Sequence, residues 1–187
     1  NLAIKVRRSL DLPIGKPLIV AQISGPTPTK KPLIKVILEA AKKMGDRYSL
    51  IISEGIPGGK TDPVKLGGGW YYEWCPHRDI LLSLADVVII RGGHSTIGQV
   101  ITLGKPMIVI PIIDHSEQIG NASKVDRLGL GRMIEQANLT TDFLCENLNL
   151  IINDQRYREK AVRVREVALA YDGVQNIVSA LMDFTQR

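Results

Sequence analysis

The segment Ala85-Asp-Val-Val-Ile-Ile-Arg-Gly-Gly-His-Ser-Thr-Ile97 decides the fold of this chain. Its apolar run, Val87–Ile90, has no polar residue on either face, which is typical of a parallel strand covered by helices on both sides. Gly92 and Gly93 let the backbone turn sharply after that run, because glycine carries no Cβ. The residues from His94 onward have helical spacing. The segment therefore predicts a buried strand, a tight loop and a helix.

Strand-like and helical segments alternate along the rest of the chain. Other β-branched runs are predicted as strands at residues 18–23, 50–53, 70–74 and 107–110, and helical spacing is found at residues 33–44, 116–128 and 140–152. This alternation indicates βαβ units. The predicted fold class is α/β, a Rossmann-like, doubly wound parallel sheet with helices on both faces. The tail, residues 156–184, is predicted to be helical with a break near Asp172 and Gly173. Residues 54–69, with six glycines and two prolines, are predicted to form a mobile loop.

Composition limits the class of protein. The chain has 187 residues, of which 44% are hydrophobic and 23% charged, as expected for one globular domain rather than a disordered or collagen-like chain. The net charge of +5 suits an anionic ligand or membrane surface, but without an interleaved basic and aromatic stretch it argues against nucleic acid. Cys75 and Cys145 form no CxxC pair, so we expect free thiols in a reducing compartment. Because the chain begins with Asn1 rather than Met, we expect it to be a piece of a longer protein.

Two predicted loops meet where a ligand should bind. Open parallel sheets bind ligands beyond the carboxyl ends of strands where the strand order reverses, which places loops 24–29 and 91–96 together. In loop 91–96 the glycine pair and the helix start offer free amides and the positive end of a dipole to a phosphate. The alternative is a tight turn with Ser95 or Thr96 as the helix N-cap.

The neighbouring segments are open to two interpretations as well. Ser24 and Gly25 are candidates to bind phosphate, or they belong to a proline-rich turn before a helix capped by Thr29. Gln99 has capping-box spacing from Thr96, or it reaches a ligand ribose.

In residues 111–122, Ser116 is a candidate N-cap, and Glu117 and Gln118 suit either the helix dipole or ligand hydroxyls. Residues 55–61 do not match a phosphate-binding P-loop, and no cysteine, histidine or carboxylate pattern indicates a metal.

Several of these motifs occur in a recognisable order: Arg91-Gly-Gly-His-Ser-Thr96, Gly104-Lys-Pro106 and Glu117-Gln-x-x-Asn-Ala122. The series resembles the C-terminal, donor-binding half of nucleotide-sugar glycosyltransferases with the GT-B fold. It looks like the group that contains the bacterial N-acetylglucosaminyltransferase of lipid-linked peptidoglycan precursor synthesis, and plant and macrolide glucosyltransferases share the same features. The resemblance covers residues 18–134. It implies that residues 1–187 form a single donor-binding domain of a two-domain enzyme whose N-terminal acceptor domain is absent here.

The resemblance also implies roles for particular residues. Those that would hold the donor diphosphate are Ser24, Gly25, Gly93, His94, Ser95 and Thr96. Trp74 and Cys75 would lie along the nucleobase, with backbone groups reading its edge, and Gln99 would bind the ribose. Glu117 and Gln118 would meet the sugar, with Asn121 supporting that loop. Gln99 is a departure, since the family usually has a glutamate there, and the loop after the first strand lacks the family's glycine run.

The expected function is glycosyl transfer from a nucleotide sugar, a UDP-sugar by resemblance, through direct displacement without a metal or cofactor. The amides of loop 91–96 and the dipole of the helix that follows it would stabilise the leaving diphosphate. The resemblance assigns the acceptor site and catalytic base to the other domain, so the catalytic residues stay unknown, with Asp114 or His115 as candidates for a polar group near the acceptor. The expected location is cytoplasmic, with peripheral membrane attachment and a lipid-linked acceptor compatible with the charge. The alternatives are a nucleotide-sugar 2-epimerase or hydrolase of the same fold, or a non-catalytic subunit that needs a membrane partner.

Overall fold

One mixed sheet organises the part of the chain that the structure, a computed structural model, describes, namely residues 2–66, 69–171 and 173–185. Within these residues the sheet has seven strands, β1 (Leu18–Gln22), β2 (Ser49–Ser53), β3 (Val64–Leu66), β4 (Gly69–Tyr72), β5 (Val87–Ile90), β6 (Met107–Val109) and β7 (Gly131–Met133). Their order is β3-β4-β2-β1-β5-β6-β7. All neighbouring strands are parallel except β3, which runs antiparallel to β4 at one edge.

Helices cover both faces of the sheet. They are α1 (Leu2–Ser9), α2 (Thr27–Met44), α3 (Arg78–Leu84), α4 (His94–Thr102), α5 (Ser116–Arg127), α6 (Thr141–Asn153), α7 (Gln155–Ala170) and α8 (Gly173–Thr185). One core lies between the sheet and α2 and α6, and the other between the sheet and α1, α3, α4 and α5. The sequence of strand β5 is uniformly apolar because both of its faces are buried. Val87 and Ile89 lie in the first core, and Val88 and Ile90 lie in the second. The doubly wound α/β prediction is thus confirmed.

The strand order reverses between β1 and β5. Strand β1 pairs with β2 on one side and with β5 on the other, and Gln22 lies opposite Ile90 at their carboxyl ends. The chain from β1 winds towards β2 and β4, whereas the chain from β5 winds towards β6 and β7. This confirms the predicted reversal point and brings the loops after β1 and β5 side by side.

Some element boundaries differ from the sequence prediction. The predicted loop 54–69 contains β3, so the prediction of a mobile loop is wrong for those residues, while Gly67 and Gly68 lie outside the described residues. Strand β7 was not predicted either, since three residues carry too little pattern. Helix α2 begins six residues before the predicted start, because Pro28 fits the first turn of a helix. The tail is helical and broken between α7 and α8, as predicted, and Asp172 lies outside the described residues.

Both cysteines are free and buried, Cys75 in one core and Cys145 in the other. In the part of the chain that the structure describes, no helix combines the length and apolar character needed to cross a bilayer.

Candidate functional site

A cleft of about 620 Å³ opens at the carboxyl edge of the sheet. Its volume lies within the range of small-molecule binding sites. The ends of β1 and β2, the segment after β4 and the first turns of α3 and α4 contribute most of its lining, which comprises Leu2, Gln22, Ser24, Ser53, Gly55, Trp74, Cys75, Pro76, His77, Arg78, Asp79, Ile80 and Thr96. Four residues predicted for the ligand site therefore line one cleft: Ser24, Trp74, Cys75 and Thr96.

The start of α4, which supplies Thr96 to this cleft, has no side-chain cap. Its N-cap is Gly93, which has no side chain to accept from the first-turn amides, so the alternative with Ser95 or Thr96 as N-cap is wrong. The first-turn N–H groups and the positive end of the α4 dipole are consequently available to an anion. This is the geometry that a phosphate group needs.

The two glycines before α4 differ in what the fold demands of them. Gly92 has φ +95°, and a Cβ there would lie 2.9 Å from Val109 Cγ1 and 3.0 Å from the Gln118 carbonyl oxygen. Gly93 has an ordinary φ of −63°, and a Cβ there would meet nothing within 4 Å. Gly92 is required by packing and backbone conformation, whereas Gly93 leaves open space beside the helix start.

The other helices at this edge also begin without side-chain caps. The N-cap of α2 is Pro26, and the Thr29 hydroxyl donates to the Pro26 carbonyl, so the prediction of Thr29 as a cap is wrong. The N-cap of α5 is His115, so Ser116 is the first helical residue and not the cap. By contrast α6 and α7, which contribute no residue to the cleft, are capped by the side chains of Thr140 and Asp154.

Gln99 lies behind the cleft and holds two residues of its rim. Its amide donates to Asp79 Oδ1 at 2.8 Å, and its carbonyl oxygen accepts a hydrogen bond from Arg78 Nη2. Arg78 Nη1 also donates to Asp79 Oδ1 at 3.0 Å. The capping box with Thr96 is therefore not formed. Sequence reasoning missed Arg78 and Asp79, although a charged pair four residues after Trp74 was a visible signal.

Trp74 and Cys75 form one wall of the cleft. Trp74 is 45% exposed and offers an aromatic surface, while its backbone N–H already donates to the Lys60 carbonyl at 3.1 Å. Because this N–H is already hydrogen-bonded, it is not free to donate to the edge of a nucleobase. Burial raises the pKa of the Cys75 thiol to about 11, so at neutral pH the thiol is protonated and is a poor nucleophile.

A buried ion pair supports the cleft from the side of β2. Lys30 Nζ lies 3.1 Å from Glu54 Oε1, and the Tyr71 hydroxyl donates to Glu54 Oε2. Burial raises the pKa of the Glu54 carboxyl, but the hydrogen bonds from Tyr71 and Lys30 outweigh it and hold this pKa below its ordinary value. The pair connects the first turns of α2 to the end of β2, next to Gly55 of the cleft.

The residues predicted for the sugar lie at the same sheet edge but do not line the cleft. Asn121 Nδ2 donates to the Gly92 carbonyl at 3.0 Å and lies 3.5 Å from Glu117 Oε1. Gln118 Oε1 accepts from the Ile112 N–H at 2.9 Å. These side chains connect the start of α5 to the loops after β5 and β6. The other predicted phosphate ligands do not line the cleft. Gly25 and Gly93 lie in the loops before α2 and α4, and His94 and Ser95 lie in the first turn of α4.

A family model matches most of this chain. Residues 25–177 match the glycosyltransferase family 28 C-terminal domain. The chain belongs to this family. The range includes the starts of α2, α4 and α5, whereas Leu2, Gln22 and Ser24 of the cleft lining precede it.

Individual relatives of this glycosyltransferase domain agree with that assignment. An uncharacterized glycosyltransferase of Methanosarcina acetivorans is 31% identical over 174 residues, which are 89% of this chain and 43% of the relative. The UDP-N-acetylglucosamine--N-acetylmuramyl-(pentapeptide) pyrophosphoryl-undecaprenol N-acetylglucosamine transferase of Geobacillus kaustophilus is 30% identical over 135 residues, or 67% of this chain and 36% of that enzyme. The chain spans less than half the length of these two relatives.

Solved structures show the same fold. The glycosyltransferase of kitacinnamycin has a TM-score of 0.75 at 23% identity, covering 91% of this chain and 44% of that one. The glycosyltransferase VinC, solved in complex with DTDP, has a TM-score of 0.70 at 17% identity, covering 92% and 42%. The predicted Rossmann-like half of a GT-B glycosyltransferase is confirmed. Among the described residues, no group of three or more histidines, cysteines and carboxylates is placed to hold a metal ion.

Proposed function

We propose that this domain binds a nucleoside diphosphate sugar, specifically a UDP-sugar, and presents it for glycosyl transfer. The observation that carries the proposal is the uncapped start of α4, with open space at Gly93, beside a cleft of about 620 Å³. A diphosphate at that helix start would receive backbone N–H groups and the helix dipole together. The same cleft extends to an aromatic side chain, as a nucleoside requires.

The diphosphate is also the leaving group of the proposed reaction. In direct displacement, the bond from the anomeric carbon to the phosphate oxygen breaks as the acceptor oxygen attacks, and negative charge develops on the diphosphate. Amides of the α4 first turn, with Ser24 and Thr96 nearby, would stabilise that charge without rearrangement. We therefore assign stabilisation of the leaving group to the fold itself, without a metal ion or other cofactor.

The nucleoside fits along the wall formed by Trp74 and Cys75. The exposed Trp74 ring can stack on a base, and the rim carboxylate of Asp79, held by Gln99, can accept from ribose hydroxyls. The preference for uracil is supported by the relative from Geobacillus kaustophilus, whose name gives a UDP-sugar donor. Glu117 and Gln118 at the start of α5 are proposed to meet the transferred sugar.

The acceptor and the catalytic base are proposed to belong to the rest of the full-length protein. The chain covers 36% of the relative that acts on an undecaprenol-linked acceptor, so a lipid-linked acceptor and a peripheral position at the cytoplasmic membrane face are part of the proposal. Hydrolysis or 2-epimerisation of the donor by the full-length protein without acceptor would instead favour the alternative reaction class.

Titration of the chain with UDP, GDP, CDP and dTDP by calorimetry tests the proposal. We expect UDP to bind best and Gly93→Val to weaken it at least about tenfold, because side-chain atoms would occupy the phosphate position. Gly98→Val is the matched control, since a Cβ at Gly98, one turn along the same helix, also meets nothing within 4 Å. Equal UDP affinity in wild type and Gly93→Val, or no binding of any diphosphate, would contradict the proposal.

A further inference from the structure

One buried cation, Arg91, has no counter-charge among the residues that the structure describes. Arg91 is 3% exposed, and among the described residues its guanidinium forms no ion pair with a carboxylate. Nη1 donates to the Thr29 carbonyl at 3.2 Å, Nη2 donates to Gln136 Oε1 at 2.9 Å, and Nε is buried without a hydrogen-bond partner. Burial lowers the pKa of Arg91 to about 10, so the side chain is still charged at neutral pH.

The second buried cation shows that this arrangement is unusual for the molecule. Lys30 is 5% exposed, and its ammonium is 3.1 Å from the Glu54 carboxylate. Buried charges are normally paired in this way because transfer out of water is costly. The partners of Arg91 in the described part of the chain are neutral oxygens, so no described residue supplies the charge that would balance it.

The position of Arg91 indicates where the balancing charge would lie. It directly precedes Gly92 and Gly93, and so forms the base of the loop that leads into α4. Its hydrogen bond to Thr29 fixes the first turn of α2, and Gln136 Nε2 donates to the same carbonyl at 3.0 Å. Arg91 thus joins two uncapped helix starts, α2 and α4, at the point where the strand order reverses.

We propose that Arg91 is a buried positioning residue for the donor, whose charge is neutralised only when a diphosphate binds at the start of α4. The inference rests on the proposed function and adds a residue to it. Arg91 acts from beneath the loop, by holding the two helix starts together and by adding a positive potential that surrounding water screens only weakly. It forms and breaks no covalent bond.

This role predicts that binding depends on phosphate charge and on the charge of residue 91. Arg91→Gln keeps a donor for the Thr29 carbonyl but removes the charge, while Arg91→Lys keeps the charge. In Arg91→Gln we expect UDP affinity to fall at least about tenfold, the scale of a lost interaction between partly buried charges. Uridine, which has no phosphate, should bind the wild type and Arg91→Gln equally. Arg91→Lys should retain most of the UDP affinity of the wild type.

The control is Arg165→Gln. Arg165 also donates to a helix carbonyl, that of Thr102 at 3.1 Å, but it is exposed and lies at the opposite end of α4. Calorimetry with UDP and uridine should be repeated in about 0.5 M salt, where an effect of surface charge disappears and one of buried charge persists. Thermal stabilisation by inorganic pyrophosphate provides an independent reading that needs no nucleoside.

The outcomes separate this inference from the proposed function. UDP binding that is unchanged in Arg91→Gln overturns the inference and leaves the proposed function intact. Parallel losses of UDP and uridine in Arg91→Gln and Arg91→Lys also overturn it, because they indicate structural damage. Pyrophosphate binding that requires the charge of Arg91, without UDP binding by the wild type, supports the anion role and contradicts the nucleotide assignment. A wild type that binds neither probe overturns both.

Discussion

The Gln99 side chain donates a 2.8 Å hydrogen bond to Asp79 Oδ1, which joins the middle of α4 to the first turn of α3 at the rim of the cleft. Gln99 stands where a carboxylate was expected from the family resemblance. The structure places the carboxylate on α3 instead, with Gln99 and Arg78 fixing one of its oxygens. A carboxylate held in this way is suited to accept from vicinal hydroxyls.

We therefore predict that Asp79 distinguishes ribose from deoxyribose. In Asp79→Asn, UDP affinity should fall about tenfold, because hydrogen bonds to charged groups contribute about 1.5–3 kcal/mol, whereas 2′-deoxyuridine diphosphate should be affected much less. Calorimetry with the two diphosphates measures this difference. Asp46→Asn removes an equally negative charge from an exposed position outside the cleft and serves as the control. If the wild type binds both diphosphates equally, Asp79 has no such role.

A second prediction concerns the buried pair of Lys30 and Glu54. Glu54→Gln should lower the free energy of unfolding at neutral pH by about 3 kcal/mol, because it leaves a buried ammonium unpaired. The double variant Lys30→Met/Glu54→Gln should recover most of that loss. Urea unfolding of the three proteins tests this, and a single variant as stable as the wild type would show that the pair contributes nothing.

The same pair predicts a pH dependence with a definite sign. The Glu54 pKa is lower in the folded protein than its ordinary value, so the folded state binds this proton less readily than the unfolded chain. Its contribution to stability is present above the ordinary carboxyl pKa and is lost as the pH falls through the folded value. The stability difference between wild type and Glu54→Gln should therefore shrink below about pH 4. A difference that grows on acidification would contradict the assignment.

The sequence predicted the central sheet well and the edges poorly, for a physical reason. Strand β5 is readable because both of its faces are buried, so every residue is apolar, whereas β3 and β7 have three residues each and lie at the sheet edges. The position of the loops after β1 and β5, side by side at the reversal of strand order, could be predicted from the topology. The hydrogen bonds of Arg91 and Gln99 could not, because their partners Thr29 and Asp79 lie 62 and 20 positions away in the chain.

Gly92 and Gly93 should respond differently to alanine. Gly92→Ala places a Cβ 2.9 Å from Val109 Cγ1 at φ +95°, so we expect about 2 kcal/mol of destabilisation or more. Gly93→Ala has ordinary backbone angles and free space, so its free energy of unfolding should stay within about 0.5 kcal/mol of the wild type. Chemical unfolding of both variants checks this, and equal destabilisation would show that Gly93 is also structural.

The last helix predicts how the isolated domain behaves. Helix α8 exposes Ile177 by 63%, Leu181 by 61% and Phe184 by 77%, at the spacing of one helix face. Such a face is expected to be covered in the full-length protein. Alone, the chain should self-associate through it at high concentration.

Replacing that face should change association without changing the fold. We expect Ile177→Lys/Leu181→Lys to shift the chain towards monomer in sedimentation velocity, while its free energy of unfolding changes by less than about 1 kcal/mol, since both side chains are already in solvent. Asn176→Lys/Ser179→Lys adds the same charge to exposed positions off that face and is the matched control. If both double variants reduce association equally, net charge is responsible rather than the apolar face. If neither does so, α8 does not mediate association of the isolated domain.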